Sequence, residues 1–243
     1  MRRLSGWPLH DRSLHNVWER RRVYGKIRLQ DGTKLSERDR LPTSHERQSG
    51  LPWDASYTGG VPPWDIGRPQ AAVVRLAARG AFAGAVLDAG CGTGENALHV
   101  ASGGLRVLGV DVAETALAAA REKAAARGID AEFAYADALR FERLGRLFDT
   151  VLDCGLFHSF DGDERMRYVA SLASVTAHGG TLYVLCFSDE GAELGPHPVR
   201  QDELRAAFHA GSGWEVAAIE PERLETRFHA AGAAAWLATL KRT

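Results

Sequence analysis

Val86-Leu87-Asp88-Ala89-Gly90-Cys91-Gly92-Thr93-Gly94 joins a short apolar run to three glycines at alternate positions, and a helix-compatible segment follows from Glu95. Glycine is needed where a chain turns sharply and where a ligand lies against bare backbone, because a β-carbon would occupy the ligand's volume. A buried strand, an open turn and a helix together form the first unit of an open α/β sheet. Outward from this unit, apolar runs alternate with Ala-rich amphipathic runs. Strands are predicted at Ala85–Ala89, Leu105–Asp111, Ala131–Ala136, Phe148–Asp153, Thr181–Phe187, Glu215–Ile219 and Ala234–Lys241. Helical spacing covers Arg68–Arg79, Glu95–Ala101, Ala113–Arg127, Asp163–Thr176 and Gln201–His209, with Asp163 as a cap and Gly128 and Gly179 as helix ends. The continuous apolar character of the early strands suits a parallel sheet covered on both faces. No convincing helix separates the last two strands, so they form an antiparallel hairpin.

The chain has 243 residues, 45% of them hydrophobic, which suits one sizeable core. Its net charge of −1 argues against a general polyanion binder such as a nucleic-acid protein. Residues 1–50 carry 12 Lys or Arg against 6 Asp or Glu and lack a core-forming period, so a basic, flexible extension is expected there, with a short helix over Arg12–Arg22. The domain proper is expected over residues 51–243. Cys91, Cys154 and Cys186 show neither a disulfide framework nor a metal spacing. With no signal peptide and no membrane-length apolar run, a soluble cytoplasmic protein is expected.

The dinucleotide fingerprint places a third small residue where this chain has Glu95, so a pyrophosphate ligand is disfavoured. A cationic ligand such as S-adenosylmethionine (SAM) suits an acidic turn better. Asp88 at the end of the first strand is placed to hold its ammonium, and Gly90 and Gly92 to admit it. Asp111 ends the second strand seventeen residues beyond Gly94, where a carboxylate can accept both ribose hydroxyls. Asp137, after the third strand, can accept from an adenine amino group, with Val112 and Ala138 on either side of the ring. The alternative for each acid is a helix cap.

These residues resemble class I SAM-dependent methyltransferases: Leu87–Gly94 looks like their first motif, Gly109-Val110-Asp111 like their second, and the terminal hairpin like their sheet ending. The resemblance covers roughly 51–243 and implies a Rossmann-like, seven-stranded sheet in the order 3-2-1-4-5-7-6 with helices on both faces. A narrower likeness comes from Trp53-Asp54-Ala55-Ser56-Tyr57, Pro63–Gln70 and Phe148–Asp153 followed by Phe157. These are similar to the branch holding thiopurine, thiol and halide methyltransferases and bacterial enzymes that methylate small heterocycles. That likeness implies that residues 51–70 fold over the cofactor, with Trp64, and less directly Trp53, in contact with it.

Methyl transfer from a sulfonium is an in-line displacement, so the protein chiefly orients, desolvates and, where needed, removes a proton. No metal is required. The acceptor is expected over Asp153-Cys154-Gly155-Leu156-Phe157-His158-Ser159, with Cys154 beside the methionyl part, Gly155 allowing close approach and Phe157 as a wall. His158 is the candidate general base, or else another wall residue. His197, in Pro196-His197-Pro198, is a candidate acceptor contact on a closing loop, and Arg68 and Gln70 could orient a carboxylate. The expected reaction methylates N, O or S of a small, aromatic or heterocyclic acceptor and releases S-adenosylhomocysteine. Thiol or halide methylation, a non-catalytic SAM-binding domain and an NAD-dependent oxidoreductase are the alternatives.

Overall fold

The computed structural model describes residues 40–191, 197–229 and 231–243, so the helix expected over Arg12–Arg22 lies outside the described residues. Seven strands build one sheet: β1 (Ala85–Ala89), β2 (Arg106–Asp111), β3 (Glu132–Tyr135), β4 (Phe148–Cys154), β5 (Thr176–Phe187), β6 (Trp214–Leu224) and β7 (Ala233–Arg242). Their order is β3-β2-β1-β4-β5-β7-β6. The first five run parallel, and β7 is antiparallel to both β5 and β6. The helices are α1 (Ser44–Ser49), α2 (Ala55–Thr58), α3 (Ala71–Ala78), α4 (Glu95–Ser102), α5 (Glu114–Arg127), α6 (Gly162–Val175) and α7 (Gln201–Ala207). No helix among the described residues is long and apolar enough to cross a membrane.

Strand alternation divides the core in two. Val86 of β1 packs with Leu152, Leu185 and residues of α3 and α4 on one face. Leu87 packs with Val151, Leu182 and residues of α6 on the other. This covering of both faces is why the early strands read as unbroken apolar runs. Reversal between β1 and β4 leaves a crevice at the carboxyl edge of the sheet, where open α/β sheets take ligands.

Three boundaries differ from expectation. β6 extends five residues past Ile219, through Pro221, because it is the edge strand and an edge position can spare the missing N–H. Helix α6 is capped by Asp161 rather than Asp163, since only Asp161 has a glutamate at the third helical position to complete a reciprocal capping box with Glu164. Gly179 does not end that helix: the chain enters β5 at Thr176, and Gly179, at φ 77°, lies within the early irregular part of the strand.

The boundary at residue 50 also moves. Residues 40–50 pack against the domain, with Ser44 N–H and Oγ donating to Glu164 at 2.7 and 2.6 Å. Arg47 pairs with Glu164 and Asp161, and the buried Glu46 pairs with Arg40 while accepting from Trp53 N–H. Polar partners anchor this segment, so a search for apolar periodicity passes over it. Glu164→Ala would leave the Ser44 N–H without its acceptor, and we expect a loss of about 1–3 kcal/mol in unfolding free energy. Amide exchange over residues 44–50 should quicken while that of the central strands holds. Unaltered exchange over 44–50 would show that Glu164 is not the anchor.

Candidate active site

At the carboxyl edge a cavity of about 350 Å³ opens over the glycine turn. Gly90, Gly92 and Gly94 have φ of 71°, 51° and 82°, a region that disfavours side chains. A β-carbon at Gly92 would come within 3.0 Å of the Tyr57 hydroxyl, and one at Gly94 within 2.8 Å of Ala120 and Phe133. The turn therefore lies against the Tyr57 hydroxyl on one side and closely against α5 and β3 on the other.

Asp111 stands where the sequence placed it, lining the cavity at the end of β2. Its Oδ2 accepts Gly92 N–H at 2.8 Å and its Oδ1 accepts Ala113 N–H at 2.9 Å. Burial nevertheless outweighs these donors and pushes its pKa up. Val112 and Ala138 also line the cavity, beside Val110 and Ala136. Asp137 lies between two lining residues but is not on the wall itself; its Oδ1 accepts Leu139 N–H at 3.0 Å, so in this structure it acts as the cap of the short helical turn that follows. Asp88 sits beneath the wall, 2% exposed, and its buried Oδ2 has no hydrogen-bond partner among the described residues. Burial raises its pKa to about 7, aided by the nearby Asp111 and Asp153 and opposed by the Ala97 amide. An orphaned carboxylate oxygen under a glycine cradle fits a ligand that brings a cationic or hydrogen-bond-donating group. Glu95 does not supply that negative field, because Lys123 and Arg127 pair with its carboxylate at 2.8 Å each. The charge argument against a pyrophosphate therefore weakens, while the bulk of the side chain remains.

Residues from the segment before α3 roof the cavity. His45 stacks on Trp53 at 4.3 Å, Trp53 meets the edge of Trp64 at 5.8 Å, and Trp64 Nε1 donates to the Tyr57 hydroxyl at 3.0 Å. All four line the cavity. Burial and the neighbouring Asp111 push the Tyr57 phenol up, so it stays protonated. Asp54 accepts Thr115 N–H and Oγ1–H at 2.7 and 2.9 Å, and Asp65 accepts Thr93 Oγ1–H at 2.8 Å, tying the roof to both sides of the floor. Arg68 and Gln70, expected to orient a carboxylate ligand, are engaged within the protein. Arg68 grips Glu225 with two bonds of 3.1 and 3.0 Å, and Gln70 exchanges backbone bonds with the same residue.

The loop after β4 corrects two further expectations. Phe157 is fully buried against Phe208 and the Arg165 guanidinium, away from the cavity, and Leu156 lines the wall in its place. His158 does reach the cavity, its ring tilted against Phe187 with 4.6 Å between ring centres. Burial, together with His197, Arg165 and His45, pushes its pKa down to about 3. A base poised near neutrality is therefore not what this loop presents; the ring is neutral. Gly155 has φ 90°, but a β-carbon there would stand 3.6 Å from His158, so its conformation rather than space calls for glycine. Cys154 lines the cavity with a thiol pushed up by burial and by Asp88, so it is no thiolate nucleophile. His197 also lines the cavity, at a positive φ of 53°. Tyr57, from the segment expected to cover the cofactor, also lines the cavity, as do His45, Phe187, Leu224, Glu225, Thr226, Phe228 and His229, none of which was identified from sequence. The polar run Glu225-Thr226-Arg227 followed by Phe228 and His229 between the last two strands was the available signal for the last of these.

A family model described as a methyltransferase domain matches residues 86–180. A 2-heptyl-1-hydroxyquinolin-4(1H)-one methyltransferase of Mycobacteroides abscessus is 37% identical over 183 residues, spanning 71% of this chain and 80% of that one. This chain belongs to the class I SAM-dependent methyltransferases. A probable thiol methyltransferase 2 of Arabidopsis thaliana is 27% identical over 164 residues, 66% of this chain and 72% of its own. A solved structure concerned with the conversion of a disulfide bond into a thioacetal group during echinomycin biosynthesis superposes with a TM-score of 0.70 at 39% identity. That match covers 78% of this chain and 91% of the other. The enzyme therefore uses SAM, and the NAD-dependent alternative falls.

The raised pKa of Asp88 has a stability consequence. Between an unfolded value of about 4 and the folded value of about 7, the unfolded chain binds fewer protons, so stability falls as pH rises through that window. Asp88→Asn removes the buried charge, and we expect it to raise unfolding free energy at pH 8 by on the order of 1–3 kcal/mol, with a smaller gain at pH 5. The same variant should bind SAM more weakly by calorimetry. Equal stability gains at both pH values would contradict the raised pKa.

Proposed function

We propose that this enzyme transfers a methyl group from SAM to N, O or S of a small aromatic or heterocyclic molecule. The observation that carries this reading is the ring-lined cavity: His45, Trp53, Trp64, Phe187 and Phe228 all border it, and a flat acceptor gains apolar burial and ring stacking there. The hydroxyquinolone relative supports the same class. SAM supplies the electrophilic methyl group, whose bonding pair stays on sulfur as the acceptor's lone pair takes the carbon. Asp111 binds the ribose, Asp88 draws the ammonium, and Gly90 and Gly92 admit the methionyl chain beside Cys154. Trp64 closes the roof against water, which strengthens the electrostatics below it. Any proton on the acceptor atom leaves to solvent. With His158 held near 3, that residue favours acceptors that ionise readily, such as an N-hydroxy group, an acidic phenol or a thiol. The thiol methyltransferase relative makes a plain thiol the second reading.

A panel of N-hydroxy heterocycles, phenols and thiols, assayed by release of S-adenosylhomocysteine, tests the reading. Turnover confined to aliphatic thiols would favour the second, and absence of turnover across the panel would overturn the first. Trp64→Ala is expected to lower kcat/KM for SAM by about 10- to 100-fold, from lost burial and cation–π attraction. His158→Asn should leave the pH profile of kcat/KM unaltered between pH 5 and 9 and reduce its height by about tenfold or less. Loss of a limb near pH 6–7 in that variant would restore His158 as the general base.

A further inference from the structure

The connection between β6 and β7 carries a hydrogen-bond network that the reading above does not use. The Thr226 hydroxyl oxygen accepts Phe228 N–H at 3.2 Å and His229 N–H at 3.1 Å, and it lies 2.9 Å from His229 Nδ1. A threonine hydroxyl has two lone pairs and one proton. Phe228 N–H and His229 N–H, the latter shared with the Thr226 carbonyl at 3.2 Å, both point at the hydroxyl's lone pairs, so the contact to Nδ1 uses the hydroxyl's own proton and Nδ1 is the acceptor. A neutral imidazole that accepts at Nδ1 carries its hydrogen on Nε2. The half-buried His229 ring lines the cavity, and Nε2 makes no hydrogen bond among the described residues. The loop itself is held in place: Arg227 N–H donates to the Pro63 carbonyl at 2.8 Å, and Arg68 holds Glu225. A ring fixed at one nitrogen by a tethered loop offers one defined donor to the cavity.

We propose that His229 orients the methyl acceptor through its Nε2–H, donating to a carbonyl or N-oxide oxygen carried beside the atom that is methylated. Thr226 is the positioning residue that fixes the tautomer. The proposal rests on the small-molecule reading above and adds to it a required chemical feature of the acceptor. His229 is not a base here, since the nitrogen it presents already holds a hydrogen. A site built around a donor discriminates against analogues that lack the matching lone pair, because the donor is then left unpaired when water is excluded.

The test combines a tautomer measurement with a substrate comparison on the full chain. Nitrogen-15 chemical shifts of the His229 ring, assigned by their loss in His229→Gln and recorded with S-adenosylhomocysteine bound, should show an unprotonated Nδ1 and a protonated Nε2. Thr226→Val should shift the ring toward a mixture of tautomers. Kinetically, matched heteroaromatic acceptors with and without the adjacent oxygen are compared. His229→Leu should lower kcat/KM by about 10- to 100-fold for the oxygen-bearing member and by less than about threefold for its partner. His229→Gln, whose amide N–H approximates the Nε2–H, should keep the oxygen-bearing activity within about fivefold. A protonated Nδ1 in the unaltered protein, equal losses for both acceptors, or a glutamine variant as impaired as the leucine variant would each overturn the role of His229. If the unaltered enzyme turns over no small acceptor, the proposed function fails, and the ring shifts still decide the tautomer.

Discussion

The half-buried Asp111 carboxylate joins the two turns on which the site depends. One oxygen holds Gly92 in the glycine turn after β1, and the other holds Ala113 at the start of α5. Two adjacent parallel strands thereby end in loops of fixed relative position, and the carboxylate between them faces the cavity. A carboxylate held there by two backbone amides is already oriented toward the cavity, which is where preorganised polar groups contribute most.

Around that fixed floor the enzyme collects acids that burial penalises. Asp88, Asp111 and Asp153 all have raised pKa values, and desolvation is the leading cause for each. Asp153 serves the backbone, accepting Leu156 and Phe157 N–H and so shaping the loop that carries His158. Asp88 has no comparable set of donors, and a buried carboxylate with an unused oxygen is costly to keep in the apo protein.

The roof follows a different principle. Its rings contact one another, while its position is set by short polar ties: Asp54 to Thr115, Asp65 to Thr93, Ser44 to Glu164, and Arg68 to Glu225. Each tie joins the segment before β1 to a different helix or loop: α5, the glycine turn, α6 and the β6–β7 connection. The partially exposed Trp64 and the exposed Phe228 stand at the cavity's rim, so the roof and the β6–β7 connection together face whatever enters.

Local chemistry in the sequence was enough for the sheet and for the positions of the glycine turn and of Asp111. Strand and helix periods, glycines at Gly90, Gly92 and Gly94, and an acid at the end of β2 are short-range signals, and the structure carries each where it was read. The strand order came from the family resemblance and agrees with the observed sheet. Tertiary structure decided the rest. Whether Leu156 or Phe157 faces the cavity depends on the irregular turn after β4 and on Phe208 filling the space behind it, which no period encodes. Asp137 became a cap, Arg68 and Gln70 became ties to Glu225, and His158 lost its near-neutral pKa to burial. The residue types were legible in the chain, but Arg68 and Gln70 found their partner more than 150 residues away, while Asp137 found its own two residues on. A side chain's role in the site is set by the partner and by the depth of burial, and both exist only once the sheet has brought distant loops to one edge.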